Sequence, residues 1–385
     1  MPDSAQPKLD RRAKRLAELA AHGQSCWLDD LSRRMVVDGH LQQLVESGIS
    51  GVTANPATFG KAISEGSEYA RDIADFAGQG FGPDAIYERL AVADIRDACD
   101  ILRPVYDATS GVDGFVSLEV SPHLAHDTQS SIEEGQRLWA AVDRPNLFIK
   151  IPGTRAGLPA IEELLVQGIN VNVTLLFSVE RYEAVADAYL RALERRRTAG
   201  RPIDRIASVA SFFLSRIDVL VDQLLQHRIV PNRPAAAEPK PAGLLGKTAV
   251  ANAKLAYHSF QRITAGDRWR SLAGAGAQVQ RLLWASTGTK NPHYSELMYV
   301  EPLIGRDTVN TMPEKTIAAF IDHGTVRGSV DEGVDEARRI IADLGRLGVD
   351  FPCVATQLEN EGVQKFIEPF DALMEHIGRA GRGAR

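Results

Sequence analysis

Cysteine is nearly absent from this chain: Cys26, Cys99 and Cys353 are the three among 385 residues, and they lie too far apart to form the close pairs of a zinc or redox site. They read as buried free thiols, and the expected setting is a reducing cytoplasm. An excess of basic charge is missing as well. A net charge of -6 and a pI near 5.9 argue against a general nucleic-acid surface, which needs clustered lysine and arginine to displace counterions. Any phosphate site must therefore be local. No apolar run approaches the length of a membrane span. The N-terminal stretch has no apolar centre and carries Asp3, Asp10 and Glu18, so it does not read as a signal peptide. Its basic run, Arg11, Arg12, Lys14 and Arg15, reads as the solvated face of a polar helix over residues 8–22. Repeats at the periods of solenoids or propellers are lacking. Phosphate-binding loops are lacking too. The segment WLDDLSR after the first expected strand has no glycine, unlike a dinucleotide-binding turn. In LLGKT, residues 244–248, Pro241 stands where a P-loop needs its first glycine.

What is present is an ordinary globular composition, 44% apolar and 24% charged, with strand and helix patterns in alternation. Short apolar runs at 25–28, 51–56, 115–120, around Lys150, 169–177, 206–213, 281–285 and 308–312 read as eight strands, each followed by a helical segment. Ser130 with Glu133 reads as a capping pair, and Ser178 as an N-cap. The expected fold is therefore α/β, a (βα)8 TIM barrel in one domain, with its core over about 25–325 and an N-terminal helix. A proline-rich connection at 231–243 opens a helical insertion over about 231–279 between strands six and seven. A helical extension over about 326–385 is expected to wrap the body.

One strand contains an anomaly. In residues 146–154, NLFIKIPGT, Lys150 sits inside a run that should be buried on both faces. Either its ammonium escapes along its own stem to solvent, or it is held in the interior to lose its charge and act as a nucleophile toward carbonyls. The chemistry of a barrel sits at the carboxyl ends of its strands. Reading each strand there gives Asp29, Thr53 with Asn55, Glu119, Lys150, Asn172 with Thr174, and Ser211 with Phe213. Residues two apart on a strand share a face. Taken singly, Asn55 before a proline is a turn former, and Thr174 an ordinary strand residue. A structural ion cluster is the alternative for the group as a whole. Two carboxylates beside a lysine fit a Schiff-base mechanism, in which one group relays protons for imine formation and another serves carbon–carbon cleavage. Arg216 and Lys290, on neighbouring loops above the same mouth, suit one phosphate group.

These residues resemble transaldolase, in its form with larger subunits, a class I Schiff-base enzyme of the pentose phosphate pathway. GVTANP is similar to the family's Gly-Val-Thr-Thr-Asn-Pro, VSLEV to its glutamate strand, FIKIPGT to its lysine strand and NVTLLFS to its Asn-x-Thr-Leu-Leu-Phe-Ser. The resemblance implies a dihydroxyacetone unit carried on Lys150 from sedoheptulose 7-phosphate or fructose 6-phosphate to glyceraldehyde 3-phosphate or erythrose 4-phosphate. It makes Asp29 the acid/base for the carbon–carbon step and gives Glu119, with Thr174 and a water, the formation and hydrolysis of the imine. Asn55, Asn172 and Ser211 would hold the three-carbon fragment, Phe213 would wall it, and Arg216 and Lys290 would hold the phosphate. No metal or organic cofactor is implied. The expected partners are sugar phosphates, with neither nucleic acid nor membrane, and a homodimer is left open. The sequence departs from the family pattern at Phe212, where a proline is common, and at Lys290, where an arginine is. Three alternatives stand beside this reading: an aldolase on the same barrel that releases free dihydroxyacetone, a barrel that only binds sugar phosphates, and a metal hydrolase using His123 and His126.

Overall fold

Strands that are apolar on both faces must be covered on both, and parallel pairing with helical crossovers provides this cover. The computed structural model describes residues 6–229 and 239–383. Its strands are β1 (Gln24–Asp29), β2 (Gly51–Thr53), β3 (Phe115–Glu119), β4 (Leu147–Pro152), β5 (Val171–Leu176), β6 (Ser208–Phe213), β7 (Arg281–Ala285) and β8 (Thr308–Met312). They close in sequence order into an all-parallel barrel, with β8 against β1. The expected (βα)8 fold is the one observed.

Helix α1 (Gln6–Ala21) precedes β1, with α2 (Arg33–Val37) and α3 (His40–Glu46) after it. Three helices, α4 (Pro56–Glu65), α5 (Ala70–Gly78) and α6 (Pro83–Ala108), follow β2. Single crossovers α7 (Thr128–Val142), α8 (Gly157–Gln167), α9 (Val179–Thr198) and α10 (Ser215–Gln226) follow β3 to β6. The insertion before β7 contributes α11 (Thr248–Thr264) and α12 (Asp267–Ala273), and α13 (Glu314–His323), α14 (Val334–Arg346) and α15 (Phe351–Gly383) close the chain. Residues 231–238 of the proline-rich connection lie outside the described residues. No described helix is long and apolar enough to cross a membrane.

The lower barrel is filled by Trp27, Phe115 and Phe148, the last two rings stacked 4.2 Å apart. Gly51 pairs in register with Trp27, and a Cβ there would lie 2.4 Å from the indole. The position must therefore be glycine for the indole to lie flat. Buried Asp113 accepts from the Trp27 indole at 2.7 Å and from Ser50 at 2.8 Å, so this part of the core has a satisfied polar anchor.

Several local expectations are corrected. The N-cap of α7 is Asp127, which accepts from the Ser130 N–H at 3.0 Å, so Ser130 is a capped residue and not the cap. Arg15 is not solvated: its guanidinium donates to the Phe320 and Gly324 carbonyls at the end of α13, where a helix leaves acceptors unpaired. Lys14 is exposed as expected. Cys26 and Cys99 are buried free thiols, but Cys353 is exposed on α15. Among the described residues β7 is followed by a single short 3-10 turn, Glu301–Leu303, in place of a full helix. Strand β5 carries a register irregularity between Val173 and Leu176, with Leu175 in the left-handed region at φ 60°. Such irregularities re-aim side chains.

The site loops are pinned by two carboxylates on α10. Asp218 accepts from the Ala249 N–H at 2.8 Å and the Tyr299 hydroxyl at 2.9 Å. Asp222 accepts from the Gly246 N–H at 2.9 Å and the Tyr294 hydroxyl at 2.7 Å. Burial pushes Asp218 up to about 7. Its proton is bound more tightly in the folded chain than in the unfolded one. That contribution to stability is therefore whole below the ordinary carboxylate range and is lost as pH rises through about 7. Asp218→Asn keeps the acceptor and cannot ionise. Its melting temperature relative to the wild type should therefore rise between about pH 5 and about pH 8; a constant difference across that range would refute the assignment.

Candidate active site

Strand pairing brings the polar positions together. Glu119, Lys150 and Asn172 are successive register partners across β3, β4 and β5. Asp29 and Thr53 are partners across β1 and β2. Lys150 is 5% exposed, so its ammonium does not escape to solvent. Its Nζ donates to Glu119 Oε2 at 2.8 Å and to the Ala54 carbonyl at 3.3 Å. Burial raises the Glu119 carboxyl above the ordinary range, opposed by the charges of Lys150 and Arg216. Asp29 is raised for the same reason, opposed first by Lys150 and less by Lys290. Glu119 thus bonds the ammonium directly, and Asp29 feels its charge, in a poorly solvated mouth.

Beside the lysine runs a hydrogen-bonded chain. Ser211 Oγ donates to Asn172 Oδ1 at 2.6 Å, and Asn172 Nδ2 donates to Ser117 Oγ at 3.0 Å. Ser117 thus supports the site, a role its sequence position did not single out. Thr53 meets Asp29 Oδ1 at 3.4 Å and the Thr311 hydroxyl at 2.7 Å. Glu119 Oε1, Thr174 Oγ1 and a terminal nitrogen of Arg216 are buried with no hydrogen-bond partner among the described residues, polar capacity that a bound ligand can satisfy. Asn55 has a local duty in addition to any at the mouth. Its Oδ1 accepts from the Thr58 N–H at 3.1 Å, capping α4.

The two loops expected to carry positive charge are joined. The Ser215 and Ser286 hydroxyls are 2.9 Å apart, and the Ser215 N–H donates to the Ser286 carbonyl at 3.2 Å. This ties the start of α10, which bears Arg216, to the loop that bears Lys290. Lys290 is exposed, whereas Arg216 is half-buried and burial lowers its pKa. The Arg216 guanidinium lies 5.3 Å from the Phe213 ring centroid and 5.5 Å from that of Phe366. Phe366 is the residue that sequence reasoning missed. It comes from α15, and its ring centroid is also 5.4 Å from Lys150 Nζ. In the sequence, Val363, Phe366 and Phe370 have the spacing of any packed helix face.

His123 and His126 do not form a ligand set. His123 Nε2 is 2.7 Å from Asp371 Oδ1, and among the described residues no three His, Cys, Asp or Glu side chains are grouped to hold a metal ion.

A family profile described as Transaldolase/Fructose-6-phosphate aldolase matches residues 26–377. Transaldolase 2 of Nostoc sp. is 49% identical over 366 residues, covering 94% of this chain and 96% of that protein. Transaldolase of Mycolicibacterium paratuberculosis is 50% identical over 363 residues, 94% of this chain and 95% of the relative. Transaldolase of Thiobacillus denitrificans is 47% identical over 357 residues, 92% and 97% of the two chains.

The buried pair makes a stability prediction. Glu119→Leu strands the Lys150 ammonium and should cost about 3 kcal/mol, whereas Glu119→Leu combined with Lys150→Met should return stability to at least the wild-type level. Urea unfolding measures both; equal destabilisation in the single and double variants would contradict the pair as described.

Proposed function

The chain belongs to the transaldolase/fructose-6-phosphate aldolase family, and from that premise we propose that it moves a dihydroxyacetone unit between sugar phosphates through a Schiff base on Lys150. The donor is sedoheptulose 7-phosphate or fructose 6-phosphate, and the acceptor is glyceraldehyde 3-phosphate or erythrose 4-phosphate. The observation that carries the assignment is a buried lysine amine held 2.8 Å from a buried carboxylate at the mouth of the barrel. A binding site for sugars has no use for such an amine, since interring its charge costs several kcal/mol at roughly the scale of a whole binding energy.

Glu119 takes a proton from the Lys150 ammonium along their hydrogen bond, which frees the amine to attack the ketone carbon. The carbinolamine loses water to give a cationic imine, with Glu119 and Thr174 relaying the protons through a water. Asp29 then takes the proton of the hydroxyl borne by the leaving carbon of the bond that breaks. The carbon–carbon bond cleaves, the aldose phosphate leaves, and the electron pair is held in the enamine. Asn55, Asn172 and Ser211 hold its hydroxyls, each supplying donor and acceptor capacity, and Phe213 walls the fragment. Arg216 and Lys290 hold the phosphate. Lysine acts there as a point charge without a bidentate fork. Addition to the acceptor aldehyde reverses the sequence, with Asp29 returning its proton. No step calls on a metal or an organic cofactor. The reading extends to a homodimer in the cytoplasm, acting without nucleic acid or membrane.

Borohydride added with fructose 6-phosphate should leave a three-carbon adduct on Lys150, located by peptide mass mapping. An adduct on another lysine, or none, would remove the Schiff-base reading. Asp29→Asn should instead trap the uncleaved six-carbon sugar phosphate on Lys150 and lower turnover by about 10²–10⁴-fold. Asp29 must be ionised to act as the base, and its pKa is raised by burial. The rate should accordingly fall on the acid side through a limb lying above the ordinary carboxylate range, as a pH–rate profile of the wild type would reveal.

A further inference from the structure

Helix α15 does not merely wrap the barrel. Its first part packs against α14 and α10, its middle crosses the end of β5 and the turn after β3, and its last part packs on α4, α5 and α6. There Leu373 and Ile377 join Ile63, Ile73 and Leu90 in a separate apolar cluster. At Gly362 the helix lies close against the barrel, where a Cβ would lie 2.9 Å from Leu175 Cδ2 and 3.5 Å from an Arg216 nitrogen. Polar pairs flank the crossing, the ion pair of Arg181 with Glu359 at 3.2 Å and the hydrogen-bond contact of His123 with Asp371 at 2.7 Å. Between them Phe366, itself buried, lies over both Lys150 Nζ and the Arg216 guanidinium. The cover is one-sided. Glu119, Lys150 and Phe213 are buried beneath it, whereas Asp29 and Asn55 are half-buried and Lys290 is exposed.

We propose that Phe366 is a further residue of the active site, whose ring keeps water from the enamine while it waits for its acceptor and so favours transfer over release of free dihydroxyacetone. This rests on Lys150 carrying the imine, as assigned above. Release of free dihydroxyacetone requires a proton on the enamine carbon, addition of one water across the resulting C=N bond, and cleavage of the C–N bond with return of the amine to Lys150. Transfer requires that an aldehyde, in place of that proton, reach the enamine carbon from the open side of the mouth. The product imine is then released by the same addition of one water, so the two courses part only at the enamine. An apolar ring beside the nitrogen keeps water, the source of that proton, from the waiting enamine and so slows the first branch, while the approach of the aldehyde from the open side is left free. Its π face also favours a cation beneath it, which the iminium is.

The test compares wild type, Phe366→Ala and Phe366→Val with fructose 6-phosphate and erythrose 4-phosphate, reading free dihydroxyacetone against sedoheptulose 7-phosphate formed. The ratio should rise about tenfold in the alanine variant and about threefold in the valine variant, as the shield is removed in two steps. Thermal melts identify variants that have not folded. Should the alanine variant fail to fold, the valine ratio decides. Ratios equal to wild type, with the three-carbon adduct still trapped on Lys150, overturn the role of Phe366 and leave the Schiff-base reading intact. Absence of that adduct from the wild type overturns the Schiff-base reading, and the proposal with it.

Discussion

The structure depends on a buried charge pair that by itself would weaken it. Lys150 and Glu119 face each other at 2.8 Å in the barrel interior, where the desolvation of two ions is repaid only by good geometry and further hydrogen bonds. Much of the surrounding architecture supplies that geometry. Strand register sets the two residues side by side, the Ala54 carbonyl takes another of the lysine's protons, and the Ser211–Asn172–Ser117 chain fixes the neighbouring face. The apolar floor of Trp27, Phe115 and Phe148 makes up for what the polar mouth cannot contribute to stability.

Placing this pair at the strand ends divides the labour of the barrel. Below it the interior is packed and anchored on Asp113. Above it the loops are held to one another by short polar links, Ser215 to Ser286 and Tyr294 and Tyr299 to the α10 carboxylates. The insertion between β6 and β7 thereby has a physical role near the site: its first turns are hydrogen-bonded to Asp218 and Asp222, two and six residues along α10 from Arg216. The C-terminal extension closes the other half of the mouth.

Much of the site was legible from residue order because β-strands encode direction simply. With period two, a polar residue in an apolar run must point to one face, and Asp29, Glu119, Lys150, Asn172, Thr174 and Ser211 stood out on that ground. What was misread was local and competitive. Asp127 displaced Ser130 as a cap because both are good acceptors and only the backbone path chooses between them. Arg15 was read as solvated because its acceptors, the last carbonyls of α13, are remote in sequence.

The sequence alone determined the barrel and the inward residues, since apolar periodicity and strand-end position are properties of a segment. Tertiary structure alone decided that Phe366 lies beside Lys150 and that Cys353 does not lie in the core. Helical spacing marks a face that will be buried but carries no information about its partner. For α15 that partner is the mouth of the barrel, and only the path of the chain across β5 brings the two together.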